Sequence, residues 1–216
     1  MTILRLDRWM DRLRETAVSG PRPVRSGQSL AQQGGTAQIV QSGPALWRVT
    51  LTIGEMPVWM AREHLGLIDR AQQPETAVEV MPKPHHVQML DEGARTAAMA
   101  ATVDSVSADG WSLTIAGAPT EVLEGDWIGV SWAVGSDEAQ RLYHVAEAAA
   151  ATAAGLLGPV RVQPRLDAAV PAGASVKLHR PTMLMLVAAA DPDDLSGAKW
   201  GGASIDLVQT TRAITP

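Results

Sequence analysis

The sequence predicts a mainly β protein with a packed α-helix, an antiparallel β-sandwich or open barrel preceded by an N-terminal helical arm. Three observations predict it. Between Leu46 and Ile53, Trp47, Val49, Leu51 and Ile53 alternate with Arg48, Thr50 and Thr52, the period of a strand with one buried face. Val58, Ala61, Leu65 and Ile68 recur at helical spacing behind Pro57, which suits the first turn of a helix reaching about Ala71. From Ala98 onward, short apolar segments alternate with Gly- and Asp-containing turns, as in an all-β unit.

Taken in chain order, Leu6, Trp9, Met10 and Leu13 fall at helical spacing within residues 1–18. Arg5, Asp7, Arg8, Asp11, Arg12, Arg14 and Glu15 fill the other face, so the segment reads as a short amphipathic helix. Residues 19–37 hold Gly20-Pro21-Arg22-Pro23, Ser26-Gly27 and Gly34-Gly35, too much punctuation for a regular element, and read as a loop. Residues 1–35 are thus an arm and its linker. Ala37 to Gln41 and Leu46 to Ile53 read as a hairpin turning at Ser42-Gly43-Pro44.

After the helix, Val78 to Met81 reads as a strand stopped by Pro82-Lys83-Pro84, because proline cannot donate to a sheet ladder. Residues 82–95 read as an exposed loop. Strands are then expected at Ala98–Val106, Trp111–Ala116 and Asp126–Val134, with turns at Ala108-Asp109-Gly110 and near Gly117. Ala146 to Ala154 is almost all alanine, which favours helix, with Gly155 as a stop. Val160 and Val162 alternate with Arg161 and Gln163, Ser175–Leu178 and Met183–Val187 add strands, and Ala203–Val208 closes the sheet. Asp191 to Gly197 is a polar loop. The β-rich domain therefore spans 36–209, divisible into two lobes near 82–97, and 210–216 is a C-terminal tail.

Composition narrows the function. At 216 residues a single domain buries roughly 70% of its unfolded surface, so no staple is required. Cysteine is absent, which removes disulfides, thiol catalysis and cysteine-ligated metals. Seven tryptophans stand beside one tyrosine, Tyr143, and no phenylalanine, so tryptophan carries the large-residue packing. Tryptophan and arginine also anchor interfaces, which makes Trp9, Leu13, Trp47, Trp127, Trp132 and Arg165 the assembly-interface candidates. A net charge of −5 provides no basic field for holding nucleic acid non-specifically. The longest apolar run, Met183 to Ala190, is far short of the ~20 residues of a membrane helix. The N-terminus has no signal-peptide core, so the chain is expected in the cytoplasm with no membrane insertion.

Chemistry-bearing clusters read as structural. His85 and His86, near Asp91 and Glu92, would point in opposite directions on an extended chain and rarely ligate one ion. Asp191, Asp193 and Asp194 lack the ligand pattern of a calcium loop. Asp126 with Glu121 and Glu124 has no hydrolase frame, and its expected role is to bond turn amides. His144 is expected to bond a backbone carbonyl, and Arg165 to pair with Asp126 or Asp167. There is no Gly-x-Ser-x-Gly, phosphate loop or His-Glu-x-x-His. No catalytic, cofactor-binding or metal-ligating residue is assigned, and the chain reads as a non-enzyme.

The order of the second half, Gly125-Asp126-Trp127-Ile128-Gly129-Val130-Ser131-Trp132, then Arg141-Leu142-Tyr143-His144-Val145, then Val160-Arg161-Val162-Gln163-Pro164-Arg165-Leu166, resembles the tail-tip proteins of long-tailed bacteriophages and gene-transfer particles. Gln38-Ile39-Val40, Gly43 and Trp47-Arg48-Val49 extend the resemblance over most of residues 36–187. It implies a distal tail protein, a virion subunit forming a homo-oligomeric ring, a hexamer, between the tail tube protein and the tail hub that carries the receptor-binding apparatus. It further implies assembly in the bacterial host cytoplasm, DNA passing through the lumen, and strand and turn rather than helix over Ala146–Ala154. A minor tail or baseplate hub subunit would share these partners with a different symmetry. The reading from another class is a carbohydrate-binding β-sandwich module with Trp111, Trp127 or Trp132 stacking on sugar, although Trp127 and Trp132, five apart on a strand, point to opposite faces.

Overall fold

The computed structural model describes residues 2–5, 7, 9–13, 15–25, 28–33, 36–41, 45–81, 100–118, 121–153, 155–193, 195–196 and 199–210. In chain order its elements are β1 (Thr2–Leu4), β2 (Glu15–Arg25), β3 (Gln28–Gln33), β4 (Thr36–Gln41), β5 (Ala45–Ile53), β6 (Met56–Pro57), α1 (Val58–Ala71), β7 (Thr76–Val80), β8 (Ala101–Val106), β9 (Ser112–Ala116) and β10 (Glu121–Val122). They continue with β11 (Trp127–Val134), β12 (Asp137–Val145), β13 (Ala149–Ala150), β14 (Leu156–Gln163), β15 (Ser175–Lys177), β16 (Met183–Pro192), β17 (Leu195–Ser196), β18 (Lys199–Trp200) and β19 (Ala203–Gln209). The protein is mainly β with one packed helix among the described residues.

Two β-units share the chain. One is a six-stranded sheet ordered β1-β7-β16-β19-β5-β2, in which only the β1–β7 pair is parallel. The other is a barrel, β11-β12-β14-β9-β8-β15, antiparallel throughout and closed rather than open. All six barrel strands lie between β7 and β16 in the chain, so the barrel is inserted between two neighbouring strands of the sheet. The described strands thus fall into two interleaved groups, one within 2–81 and 183–210 and the other within 101–177. The expected boundary at 82–97 lies outside the described residues.

The sheet unit forms around the alternation read in the sequence. Trp47, Val49, Leu51 and Ile53 of β5 are buried, while Arg48 and Thr52 are exposed. Against that face pack Ala61, Leu67 and Ile68 of α1, the turn residues Trp9, Met10 and Leu13, and Trp200, Ile205 and Leu207. Burying one such aliphatic side chain contributes about 1.5–3 kcal/mol. Pro57 caps α1 from an extended conformation rather than sitting inside its first turn, and the helix ends where Gln72 N–H donates to the Ile68 carbonyl.

The N-terminal segment departs from its helical pattern. β1 pairs with β7, and the Arg12 and Leu13 amides donate to the Trp9 carbonyl in a single turn. A helix of that length nucleates poorly alone, whereas a turn lets Trp9, Met10 and Leu13 all enter the sheet's core. The Gly- and Pro-rich stretch is strand as well. β2 runs along β5 with register shifts at Glu15/Ala17 and Ser19/Arg22, and Gly20, at φ +118°, leaves no room for a β-carbon beside the Arg48 carbonyl. Its glycine and prolines thus mark bulges on an edge strand. β4 pairs with β3 instead of β5, and the expected turn at Ser42-Gly43-Pro44 lies outside the described residues.

In the barrel, Ile128, Val130 and Trp132 of β11 point inward with Tyr143, Val145, Val160, Val162, Leu113 and Ile115. The opposite faces of β11 and β12 send Trp127 and Leu142 into the sheet's core, so these two strands are buried on both sides. The alanine run resolves as strand and turn. Val122 and Glu121 pair with Ala149 and Ala150, Ala151 bridges to Leu157, and Gly155 adopts φ +74°. A few tenths of a kcal/mol of helix propensity per alanine is less than the barrel neighbours supply through pairing.

Candidate assembly surface

Five of the six interface candidates lie inside this chain. Trp9 is fully buried, and Leu13, Trp47 and Trp127 join it in the sheet's core, while Trp132 fills the barrel. Trp47 Nε1 donates to the Leu142 carbonyl at 2.7 Å and meets Trp127 edge to face at 5.2 Å between ring centres. Trp127 in turn contacts His144 at 4.9 Å, and the Arg141 guanidinium sits 5.7 Å from the Trp132 ring centre. The expectation that these five side chains face a neighbour is corrected: without phenylalanine, the cores are filled by tryptophan. Arg165 is exposed and lies across Gly110. Its expected acids are engaged elsewhere, Asp167 with Arg141 at 3.4 Å and the buried Asp126 with the Leu123 amide at 2.9 Å.

Asp126 thus holds a turn, as its position after Gly125 suggests. Asp109 does the same: hydrogen bonds from the Ser107 hydroxyl and the Trp111 amide draw its carboxyl below the usual range. His85, His86, Asp91, Glu92 and Asp194 lie outside the described residues, and among the described residues no three His, Asp or Glu side chains converge as a metal site.

At the junction of sheet and barrel, a cavity of about 230 Å³ is lined by Arg5, Glu79, Glu138, Gln140, Lys177 and Thr182. Arg5 donates to both Glu138 oxygens, at 2.6 and 3.4 Å, and Gln140 donates to Glu138 at 2.6 Å. Burial pushes the Glu138 carboxyl up, but these hydrogen bonds outweigh it and leave it below the ordinary range; the same pair raises Arg5. Thr182 donates to Glu79 at 2.8 Å, with Lys177 3.8 Å from that carboxylate. Two cations and two carboxylates are matched, so the cluster joins the two units and leaves no spare charge for a ligand.

Two further features bear on assembly, and of their residues Trp111 alone was singled out as a surface candidate by the sequence. Trp59 is 75% exposed on α1, off the stripe formed by Val58, Ala61, Leu65 and Ile68, and Trp111 is 41% exposed beside the β8–β9 turn. The second feature is a backbone one. The β2–β5 ladder ends at Arg25 paired with Ala45, and beyond it β3 and β4 pair from Gln28–Gln41 to Gln33–Thr36. Each pairs with no other described strand, so among the described residues both outer edges of this two-stranded ribbon are unpaired. Its signal was present in the sequence: from Gln28 to Gln41 there is no charged residue and no proline.

No family model and no curated protein matches the chain.

Proposed function

We propose that this chain is a virion structural protein of a phage tail tip, a distal tail protein whose ring joins the tail tube to the hub and its receptor-binding apparatus. The β3–β4 ribbon carries this reading, because a two-stranded hairpin is marginal alone and, among the described strands, neither of its strands has a further partner, which leaves it to be completed by another chain. The resemblance supports it further, since its three second-half motifs fall on β11, β12 and β14, consecutive strands around one barrel. The ring is a homo-hexamer assembled in the bacterial host cytoplasm, with a lumen through which DNA passes. The sugar-binding reading loses Trp127 and Trp132, which are buried, and keeps Trp111, which is exposed, as a single platform.

Light scattering and negative-stain class averages of the purified chain, with and without a candidate tail-tube protein, test the reading. A closed ring, alone or on tube ends, is the expected result. A single chain that ignores the tube overturns it, and a symmetry differing from the tube's points to a hub subunit instead.

A further inference from the structure

We infer that a second copy of this chain completes the ribbon: β3 of one copy adds to β4 of the next, and this backbone contact holds the oligomer. The inference rests on the ring-subunit reading and names its partner. A sheet edge exposes a row of unpaired amides and carbonyls, and proteins that must stay apart guard it with proline, charge, bulges or shortness. Those guards are present elsewhere in the molecule. The outer edge of β2 carries Pro21, Pro23, Arg22 and two register shifts, β1 is only three residues long, and the barrel closes and has no edge. Among the described strands of six residues or more with an open edge, β3 and β4 alone lack every one of these devices.

A second copy fits because the ribbon offers main-chain groups flanked by Gln, Ser, Thr, Ala, Leu, Ile and Val, and an identical ribbon offers the same. The chain carries a net charge of −5, so copies repel at long range, and an uncharged pairing element removes that repulsion where they must touch. Pairing of β3 with β4 is head to tail and closes by rotation into a ring, whereas β4 with β4 would stop at a dimer. An uncharged strand pair with unpaired edges, left unused, would be an aggregation hazard, which argues that assembly covers it.

The test uses two full-length variants, Gln32→Lys with Gln38→Lys and Gln32→Glu with Gln38→Glu. The register pairs Gln32 with Ala37 and Gln38 with Ala31, so neither variant sets like charges directly opposite within its own hairpin. Unchanged emission from the buried Trp47, Trp127 and Trp200 confirms that the body of each variant is folded. In sedimentation velocity, wild type is expected as an oligomer, each variant alone as a single chain with association weakened at least tenfold, and the equimolar mixture as an oligomer again. A folded variant that keeps the wild-type mass, or a mixture that stays as single chains, overturns the ribbon contact while a wild-type ring on tube ends would leave the tail reading standing. Conversely, ribbon-dependent oligomers that ignore the tube uphold the contact and remove the tail reading. Wild type that stays a single chain with and without tube overturns both.

Discussion

Tyr143 is the only tyrosine of the chain and is 2% exposed, with its hydroxyl accepting the Asp167 amide at 3.2 Å. Burial pushes its pKa from 10.0 to about 12, because the phenolate would have to form inside the barrel. The folded state then holds its proton over a pH range in which the unfolded chain loses it, so this contribution to stability is full below pH 10.0 and is lost as pH rises toward about 12. Phenolate absorbance, which reports this one residue, should stay silent at pH 10 and appear with unfolding above it; half-ionisation at pH 10 in the folded protein would refute the burial argument. Gly202 supplies a second residue-level prediction. It adopts φ +118°, and a β-carbon there would collide with the Ile53 carbonyl, so Gly202→Ala should cost about 3 kcal/mol in denaturant unfolding. A loss under about 0.5 kcal/mol would mean that the β5–β19 approach is looser than described.

Among elements, what the sequence made legible and what it hid divide along a physical line. β5 and α1 were readable because each buries one face, so Val49, Leu51 and Ile53, or Ala61 and Ile68, repeat at the element's own period. α1 supports a paired prediction: Trp59→Ala, which removes a ring standing in solvent, should change stability by no more than about 0.5 kcal/mol, while Trp200→Ala, fully buried, should cost about 3–5 kcal/mol. Equal losses in thermal unfolding would place Trp59 in an internal contact. The N-terminal segment misled because Trp9, Met10 and Leu13 mimic a helical stripe while lining a turn, and only β7, about seventy residues away, selects β1 as a strand. β2 was hidden for a related reason. Gly20, Pro21 and Pro23 read locally as a linker, and the β2–β5 ladder that makes them an edge strand is a non-local pairing. Among the interface candidates, the type of residue was informative and its placement was not, since composition cannot separate a core tryptophan from a surface one.

At the scale of the whole molecule, an inserted barrel and a split sheet would each be free to unfold alone unless something couples them. Charge does part of this, through Arg5 with Glu138 and Arg180 with Asp11, but exposed and half-exposed pairs of this kind contribute at most about 1 kcal/mol each. The stronger coupling is apolar. Leu142 lies on a barrel strand yet is fully buried in the sheet's core beside Trp47 and Trp127, and its carbonyl accepts the Trp47 indole. Leu142→Ala empties the centre of that contact without touching either unit's remaining core, and it should cost about 2–5 kcal/mol. Because the loss falls on the junction, its effect should be on cooperativity as well as on stability. Wild type is expected to unfold in one transition, with tryptophan emission and backbone circular dichroism coinciding along a denaturant series. In the variant, tryptophan emission, to which Trp47 and Trp127 at the junction contribute, should begin to shift at lower denaturant than the loss of strand signal, as the units part before the barrel melts. Coincident curves in Leu142→Ala would show that the units are coupled by some other route, with the chain passages between sheet and barrel the next place to cut.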